Sequence, residues 1–274
     1  MTVFLQVQRL DSMCEINLEK LPIFDTHAHY ASEQFEPDLE QVVAQMKQNG
    51  VIGVINCGVN YENCKKNIEL AEKYDLFYAA VGVHPEDLYD GKNLDTTLLK
   101  EFCGHEKVVA IGEIGLDYYW DNFSHEEQKK WFEQQIMFAK EVSLPVIVHD
   151  RESHADTLEI LKKHKPSGVV HCFSGSAEMA QEILNLGMYI GLGGVITFKN
   201  AMKVIRVAAM LPLDRLLLET DAPYMSPEPF RGKRCTSDLI YFVAEKIARI
   251  KGVTTEAVLK ASNENAKRLF TKIK

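Results

Sequence analysis

The sequence lacks the features that mark several common protein classes. Its six cysteines (Cys14, Cys57, Cys64, Cys103, Cys172 and Cys235) include no C-x-x-C pair, which excludes zinc-ribbon and thioredoxin-type sites. No apolar run approaches the roughly 18 residues of a membrane-spanning helix. Residues 1–20 lack the basic start and apolar core of a signal peptide. We therefore expect a cytoplasmic protein with reduced thiols and no membrane partner.

Positive charge is also scarce, because 31 Lys and Arg residues face 39 Asp and Glu residues and the net charge is -8. A nucleic acid would be repelled by this charge at long range. An anionic substrate would have to be attracted by bound metal ions or by a local basic cluster. The hydrophobic content of 46% is ordinary for a globular protein, and 274 residues suit one α/β barrel.

Eight short apolar runs alternate with segments of helical periodicity. The runs cover residues 23–29, 51–59, 77–84, 108–117, 145–151, 168–174, 189–197 and 216–221. Runs that are apolar at nearly every position are typical of strands buried on both faces, as in a parallel sheet. The pattern therefore predicts parallel strands connected by helices.

The helical segments have clear limits. Leu39, Val42, Val43 and Met46 repeat with helical spacing, and a second apolar stripe covers residues 125–142. Ser124 and Glu127 are spaced as a capping box at the start of this second helix. Residues 254–270 predict one or two further helices that close the barrel.

Eight strands with crossover helices predict an α/β fold, a TIM-type (β/α)8 barrel that forms a single domain over residues 21–274. Residues 1–20 would then be an N-terminal extension. A doubly wound sheet is the alternative, but it usually has a glycine-rich phosphate turn after an early strand. The glycines at 191, 193 and 194 lie inside the seventh run instead, where they would permit a bulge or a close backbone approach.

Five of the eight runs carry polar residues, most of them near the end of the run. They are His27, His29, Glu113, Asp117, His149, Arg151, His171, Glu219 and Asp221, with His84 at the end of a sixth run. Active sites of this barrel lie at the carboxyl ends of the strands. Imidazoles and carboxylates placed there predict a divalent metal site.

Some of these residues allow a second interpretation. His84 precedes a proline and is either structural or part of the site. Asp117 caps a loop or bonds a neighbour, and Glu219 points into the barrel and is held by a hydrogen bond. Asp25 is expected to support the metal ligands. The aromatic run at 118–120 either packs within a loop or offers a stacking surface.

The motifs resemble those of the TatD family of metal-dependent hydrolases, whose members include deoxyribonucleases, over nearly the whole chain from about residue 23 to 270. They are D-T-H-A-H at 25–29, G-V-H-P at 82–85, G-E-I-G-L-D-Y at 112–118, P-V-I-V-H-D-R at 145–151, H-C-F-S-G at 171–175, E-T-D-A-P at 219–223, R-G-K-R at 231–234 and N-E-N-A at 263–266. The family pattern usually continues after R-G-K-R with Asn-Glu-Pro, whereas this chain has Cys235-Thr236-Ser237.

The resemblance implies a two-metal site. One ion would be bound by His27, His29 and Asp221, and the second by His149 and His171. Glu113 would bridge the two ions. The ions are expected to be Mg²⁺, Mn²⁺ or Zn²⁺.

The resulting hypothesis is a hydrolase that cleaves DNA phosphodiester bonds through a metal-activated water. Asp221 and Glu113 are the candidate catalytic residues, with Asp221 accepting the proton of the water. Candidate substrate contacts are Arg151, Arg231, Lys233, Arg234 and His84. The sequence is compatible with a monomer and leaves the oligomeric state open.

Two other functions remain open at this stage. The same site suits a carboxylic ester, an aminoacyl ester or a lactone, especially with Zn²⁺. A non-catalytic metal-binding or nucleic-acid-binding protein is the second alternative. A phosphotriesterase-type or dihydroorotase-type enzyme is less favoured, because those relatives bridge their metals with a modified lysine and the fourth run here offers Glu113.

Overall fold

Eight parallel strands form the centre of the structure, a computed structural model that describes residues 21–89, 94–120 and 122–274. In these residues the strands are β1 (Ile23–Ala28), β2 (Val51–Cys57), β3 (Phe77–Val81), β4 (Val108–Asp117), β5 (Val146–Arg151), β6 (Gly168–Val170), β7 (Tyr189–Leu192) and β8 (Leu216–Leu218). The predicted N-terminal extension, residues 1–20, lies outside the described residues.

The strands pair in the order in which they occur in the chain, each parallel to the next. Ala28 of the first strand forms a parallel bridge with Ala222, which lies beyond the end of the last strand. Thr26 Oγ1 also donates to the Leu218 carbonyl at 3.0 Å. The sheet thus nearly closes on itself, which confirms the predicted (β/α)8 barrel and places all carboxyl ends of the strands at one mouth.

Helices connect the strands on the outside of the barrel. Among the described residues they are α1 (Leu39–Gln48), α2 (Tyr61–Lys73), α3 (Thr96–Cys103), α4 (His125–Glu141), α5 (His154–His164), α6 (Ala177–Asn185), α7 (Met202–Met210), α8 (Ile240–Lys251) and α9 (Thr255–Leu269). The capping box of Ser124 and Glu127 at the start of α4 is confirmed. Within the described ranges, none of these helices combines the length and hydrophobicity that crossing a bilayer requires.

Two apolar clusters stabilise the barrel. The larger cluster combines residues of the strands with residues of the surrounding helices. The smaller cluster joins strand residues such as Phe24, Ile147 and Leu217 to Leu269 and Phe270 from the C-terminal segment. Since the smaller cluster takes residues from many strands, we assign it to the barrel interior, which the C-terminal segment closes at the end opposite the mouth.

Several strands end earlier than the apolar runs predict. β4 has its predicted limits, but β6 ends at Val170 and β8 ends at Leu218, so His171 and Asp221 lie just beyond their strands. β7 ends at Leu192 and a 3₁₀ turn, Gly194–Thr197, follows it.

The glycines of the seventh run lie against their neighbours, as predicted. A Cβ atom on Gly191 would collide with the carboxylate of Glu219, and one on Gly194 would collide with the Met225 carbonyl. A backbone this close to other atoms tolerates only glycine.

Gly115 provides a test of how tightly β4 and β5 pack at the mouth. Its φ is +150°, and a Cβ atom would collide with the carbonyl oxygen of His149. Gly115→Ala should lower the free energy of unfolding by about 3 kcal/mol through strain and overpacking. Urea denaturation measures this change.

Gly187→Ala is the matched control, because Gly187 also has a positive φ, +79°, but has open space around its Cβ position. It should cost only the conformational strain, about 1–2 kcal/mol. Equal losses in the two variants would contradict the close packing of β4 against β5.

Candidate metal centre

Glu113, in the middle of β4, is the residue around which the site is built. Its carboxylate is buried, and Oε1 lies 2.6 Å from His171 Nε2 and 2.8 Å from His149 Nδ1. Its Oε2 lies 3.3 Å from His27 Nε2 and 3.5 Å from His29 Nε2. Histidines from β1, from β5 and from the residues directly after β1 and β6 therefore meet on one carboxylate.

The protonation of two of these rings follows from their outer partners. His149 Nε2 lies 2.9 Å from Asp117 Oδ2, so this nitrogen carries the proton and donates it to the carboxylate. His29 Nδ1 lies 3.1 Å from the Cys57 carbonyl and must likewise donate. In the neutral rings the opposite nitrogens, His149 Nδ1 and His29 Nε2, would turn lone pairs toward Glu113, so a second proton or a metal ion must occupy this position. This is the arrangement in which a histidine binds a metal ion.

With neutral rings, these lone pairs and the carboxylate oxygens are all acceptors, so the cluster has too few protons for its contacts. The nitrogens His27 Nε2 and His29 Nε2 are themselves only 3.0 Å apart. A buried group of this kind is stable only if protons or cations lie between its members. A set of imidazoles with carboxylates suits Mn²⁺ and Zn²⁺, and the carboxylates also suit Mg²⁺, so the residues fit the metal ions that the sequence predicts.

The pKa values of the site residues show that the buried carboxylates favour positive charge around them. Burial lowers the pKa of His149, but its hydrogen bonds to Asp117 and Glu113 outweigh burial and raise the pKa to about 10. Burial also raises the pKa of Glu113, but the neighbouring His171 and His27 hold it well below its usual range. Glu113 is therefore an anion that attracts either protons or metal ions.

Asp221 completes one side of the centre. Its Oδ1 lies 3.3 Å from His29 Nε2 and 3.7 Å from His27 Nε2. A φ of +62° turns the chain here, a conformation that Asp adopts more readily than most residues. Burial raises the pKa of Asp221, but the hydrogen bond with His29 dominates and lowers it, so this carboxylate is ionised.

Asp25 holds the strands that carry these ligands together. Its carboxylate accepts from Thr220 Oγ1 at 2.5 Å, from Ser237 Oγ at 2.6 Å and from the backbone N–H of His27 at 3.2 Å. Burial raises the pKa of Asp25 to about 6, despite these hydrogen bonds. Ser237 belongs to the segment in which the sequence departs from the family pattern, and it is buried as a support of β1.

His84 approaches Glu113 from the residues after β3, with Nε2 3.7 Å from Oε1. The backbone N–H of Glu86 donates to His84 Nδ1 at 3.2 Å, so the proton of the neutral ring lies on Nε2. Burial and the nearby His149 lower the pKa of His84 to about 3, which keeps the ring neutral. The ring thus offers a hydrogen-bond donor to the site, although it lies close enough to Glu113 and His149 for ligation.

Glu219 lies behind His171. The backbone N–H of Cys172 donates to its Oε1, and burial raises its pKa to about 8. His171 Nδ1 is 3.8 Å from the same oxygen and has no hydrogen-bond partner, so this outer contact of His171 is loose. The other oxygen, Oε2, is also buried without a hydrogen-bond partner.

Two contributors were not singled out from the sequence. Cys57 lies at the end of β2. Its backbone carbonyl accepts a hydrogen bond from His29, and its Sγ lies 3.3 Å from His27 Nδ1. The position of Cys57 at the end of a predicted strand could have drawn attention to it. The contact itself uses the backbone carbonyl, which every residue has, so the sequence could not indicate it. Glu86 is half-buried beside Asp117, and burial and that neighbour raise its pKa to about 7.

The four predicted cations have different surroundings. Arg151, at the end of β5, lies 4.0 Å from Asp117 Oδ2 and is therefore beside the metal centre. Arg231 lies over the ring of Phe198 and Lys233 over that of Phe230. Arg234 binds both oxygens of Asp38, at 2.6 and 2.8 Å, so its guanidinium is already paired.

The barrel and the cluster of histidines and carboxylates at its mouth define a metal-dependent hydrolase. A family model described as TatD related DNase matches residues 24–271, and the chain belongs to this family. It is 45% identical over 251 residues to the uncharacterized metal-dependent hydrolase YabD of Bacillus subtilis, an alignment that covers 90% of this chain and 98% of YabD.

Two further relatives support the family. The 3'-5' ssDNA/RNA exonuclease TatD of Dickeya dadantii is 35% identical over 258 residues, covering 90% of this chain and 97% of that protein. The crystal structure of the TatD homologue YjjV from Escherichia coli superimposes with a TM-score of 0.85 at 35% identity, covering 91% of this chain and 98% of YjjV. The resemblance that the motifs indicate is thus confirmed.

Asp117→Asn tests the outer contact of His149. The neutral amide holds His149 less firmly and makes its Nδ1 less basic, so metal affinity should fall about 10- to 100-fold. Calorimetric titration with Mn²⁺ measures the change. Asp156→Asn is the control, because Asp156 accepts from Tyr118 on the outside of the barrel and should leave affinity unchanged. Equal Mn²⁺ affinities in the wild-type protein and both variants would show that Asp117 does not orient His149.

Proposed function

We propose that this chain is a metal-dependent nuclease that hydrolyses phosphodiester bonds of single-stranded DNA. The observation that carries the proposal is the convergence of four histidines on the buried Glu113, with Asp221 beside them. Further support comes from the Dickeya dadantii relative, whose name describes an ssDNA/RNA exonuclease.

The residues divide into two sets of ligands. His27, His29 and Asp221 would hold one divalent cation, and His149 and His171 would hold a second, with Glu113 shared between them. When bound, such cations neutralise phosphate charge and lower the pKa of water, and they relieve the excess of acceptors around Glu113. Mg²⁺, Mn²⁺ and Zn²⁺ are the candidates.

Asp221 is the residue that we assign to proton transfer. Hydrolysis adds water across a P–O bond and yields a phosphate monoester and a hydroxyl group, so a proton must leave the attacking water. Asp221 is ionised, and its side chain is 18% exposed, against 4% for Glu113. It can therefore accept this proton, and its side chain is more open to solvent than that of Glu113.

Substrate phosphate would be bound by the groups that face the mouth. His84 offers the proton on its Nε2, and Arg151 offers a guanidinium beside Asp117. Arg231 and Lys233 add positive charge in the segment after β8. Arg234 would contribute mainly through its pair with Asp38, which anchors that segment to the residues before α1.

Metal-dependent turnover of single-stranded DNA tests the proposal. The protein should degrade a labelled strand with Mg²⁺ or Mn²⁺, lose this activity in excess chelator and regain it when metal is restored. His171→Ala removes a ligand and should lower kcat/KM more than about 100-fold. Gel analysis of the labelled products gives the rates.

His105→Ala is the control for loss of a histidine, since His105 pairs with Glu72 on the outside of the barrel. It should retain full activity. Turnover that survives exhaustive chelation would contradict the mechanism. Hydrolysis of carboxylic esters or lactones without hydrolysis of nucleic acid would favour the esterase, and tight DNA binding without turnover would favour a binding protein.

A further inference from the structure

An exposed aromatic pair, Tyr119 and Trp120, directly follows β4 at the barrel mouth. The two residues are 49% and 46% exposed, and their rings meet edge to face with centroids 4.8 Å apart. The preceding Tyr118 is packed instead, because its ring stacks on His125 and its hydroxyl donates to Asp156 at 2.7 Å. Loop packing therefore accounts for Tyr118 but leaves the next two rings in solvent.

Arg151 is held against this pair. Its guanidinium carbon lies 3.9 Å from the ring centroid of Tyr119 and 5.9 Å from that of Trp120. Both distances are within the range of cation–π attraction. The side chain is 45% exposed, so the charge is held in place and still meets solvent. Because Arg151 covers one face of Tyr119, the indole of Trp120 is the open stacking surface.

One carboxylate connects these residues to the metal centre. Asp117 Oδ1 accepts from the backbone N–H of Tyr119 at 2.9 Å, and its Oδ2 accepts from His149 at the same distance. Arg151 lies 4.0 Å from Asp117 Oδ2. The exposed rings and the cation are thus fixed directly beside a proposed metal ligand.

We propose that Tyr119, Trp120 and Arg151 form a base-stacking site, here called the aromatic platform, for single-stranded nucleic acid. A base stacks on Trp120, and Arg151 binds the phosphate next to that base. The inference rests on the proposed nuclease function and specifies how that site selects its substrate. In a duplex the base faces are already stacked, whereas a single strand presents them to an aromatic ring. Arg151 also supplies the local positive charge that the acidic chain otherwise lacks.

Kinetics with two strands of equal length, one carrying bases and one abasic, test the aromatic platform. Trp120→Ala should raise KM for the base-carrying strand about 5- to 100-fold, leave kcat nearly unchanged and have little effect on the abasic strand. Trp120→Phe retains a ring and should recover most of the loss. Met137→Ala, which removes a 60% exposed side chain from the outer helix α4, should change nothing.

Fluorescence of the wild-type protein gives a second measurement that needs no variant. The chain has two tryptophans, and Trp131 is only 4% exposed, so emission from a solvent-exposed indole comes from Trp120. Titration with the base-carrying strand should quench this emission, and the abasic strand should not.

The outcomes separate the two proposals. If the wild-type protein degrades DNA and Trp120→Ala has the wild-type KM on both strands, the aromatic platform is wrong and the nuclease function stands. An equal loss on both strands would show that Trp120 has only a structural role. If the wild-type protein degrades neither strand, the proposed function fails. In that case the fluorescence titration still tests the aromatic platform. Equal quenching by the base-carrying and the abasic strand would overturn it.

Discussion

A carboxylate that is buried among lone pairs is the constraint on which the rest of the site depends. Glu113 lies within 3.5 Å of nitrogens from His27, His29, His149 and His171. Two of these rings already give their proton to an outer acceptor, Asp117 or the Cys57 carbonyl. An anion in this position needs compensating positive charge. We attribute the arrangement to a centre that is complete only with metal ions, and the family to which the chain belongs is one of metal-dependent hydrolases.

The barrel supplies this arrangement because parallel strands bring their carboxyl ends to one mouth. The junction between β1 and β8 is reinforced there by the buried carboxylate of Asp25, which binds Thr220 and Ser237. At the opposite end, apolar residues such as Phe270 close the interior. The mouth of the barrel, which holds the candidate metal centre, is therefore rich in buried polar groups. The opposite end is apolar and stabilises the fold.

Much of this could be predicted from sequence because it depends on local pattern. The apolar runs and the polar residues at their ends predicted the barrel and brought His27, Glu113 and His149 to one place. The tautomers were not predictable, because they are set by the Cys57 carbonyl and by contacts between strands. The pair between Arg234 and Asp38 escaped prediction for a similar reason, since it joins segments that lie almost 200 residues apart in the chain. β7 and β8 also end earlier than the apolar runs predict, and the carboxylate of Glu219 lies against Gly191 of β7.

The most direct test of the proposed centre is an anomalous difference map from crystals grown with Mn²⁺. The account predicts two peaks, both in contact with the carboxylate of Glu113. One should also contact His27, His29 and Asp221, and the other should contact His149 and His171. Two peaks that share Glu113 would explain why this carboxylate can be buried among so many acceptors. A single peak, or peaks that do not touch Glu113, would contradict the account.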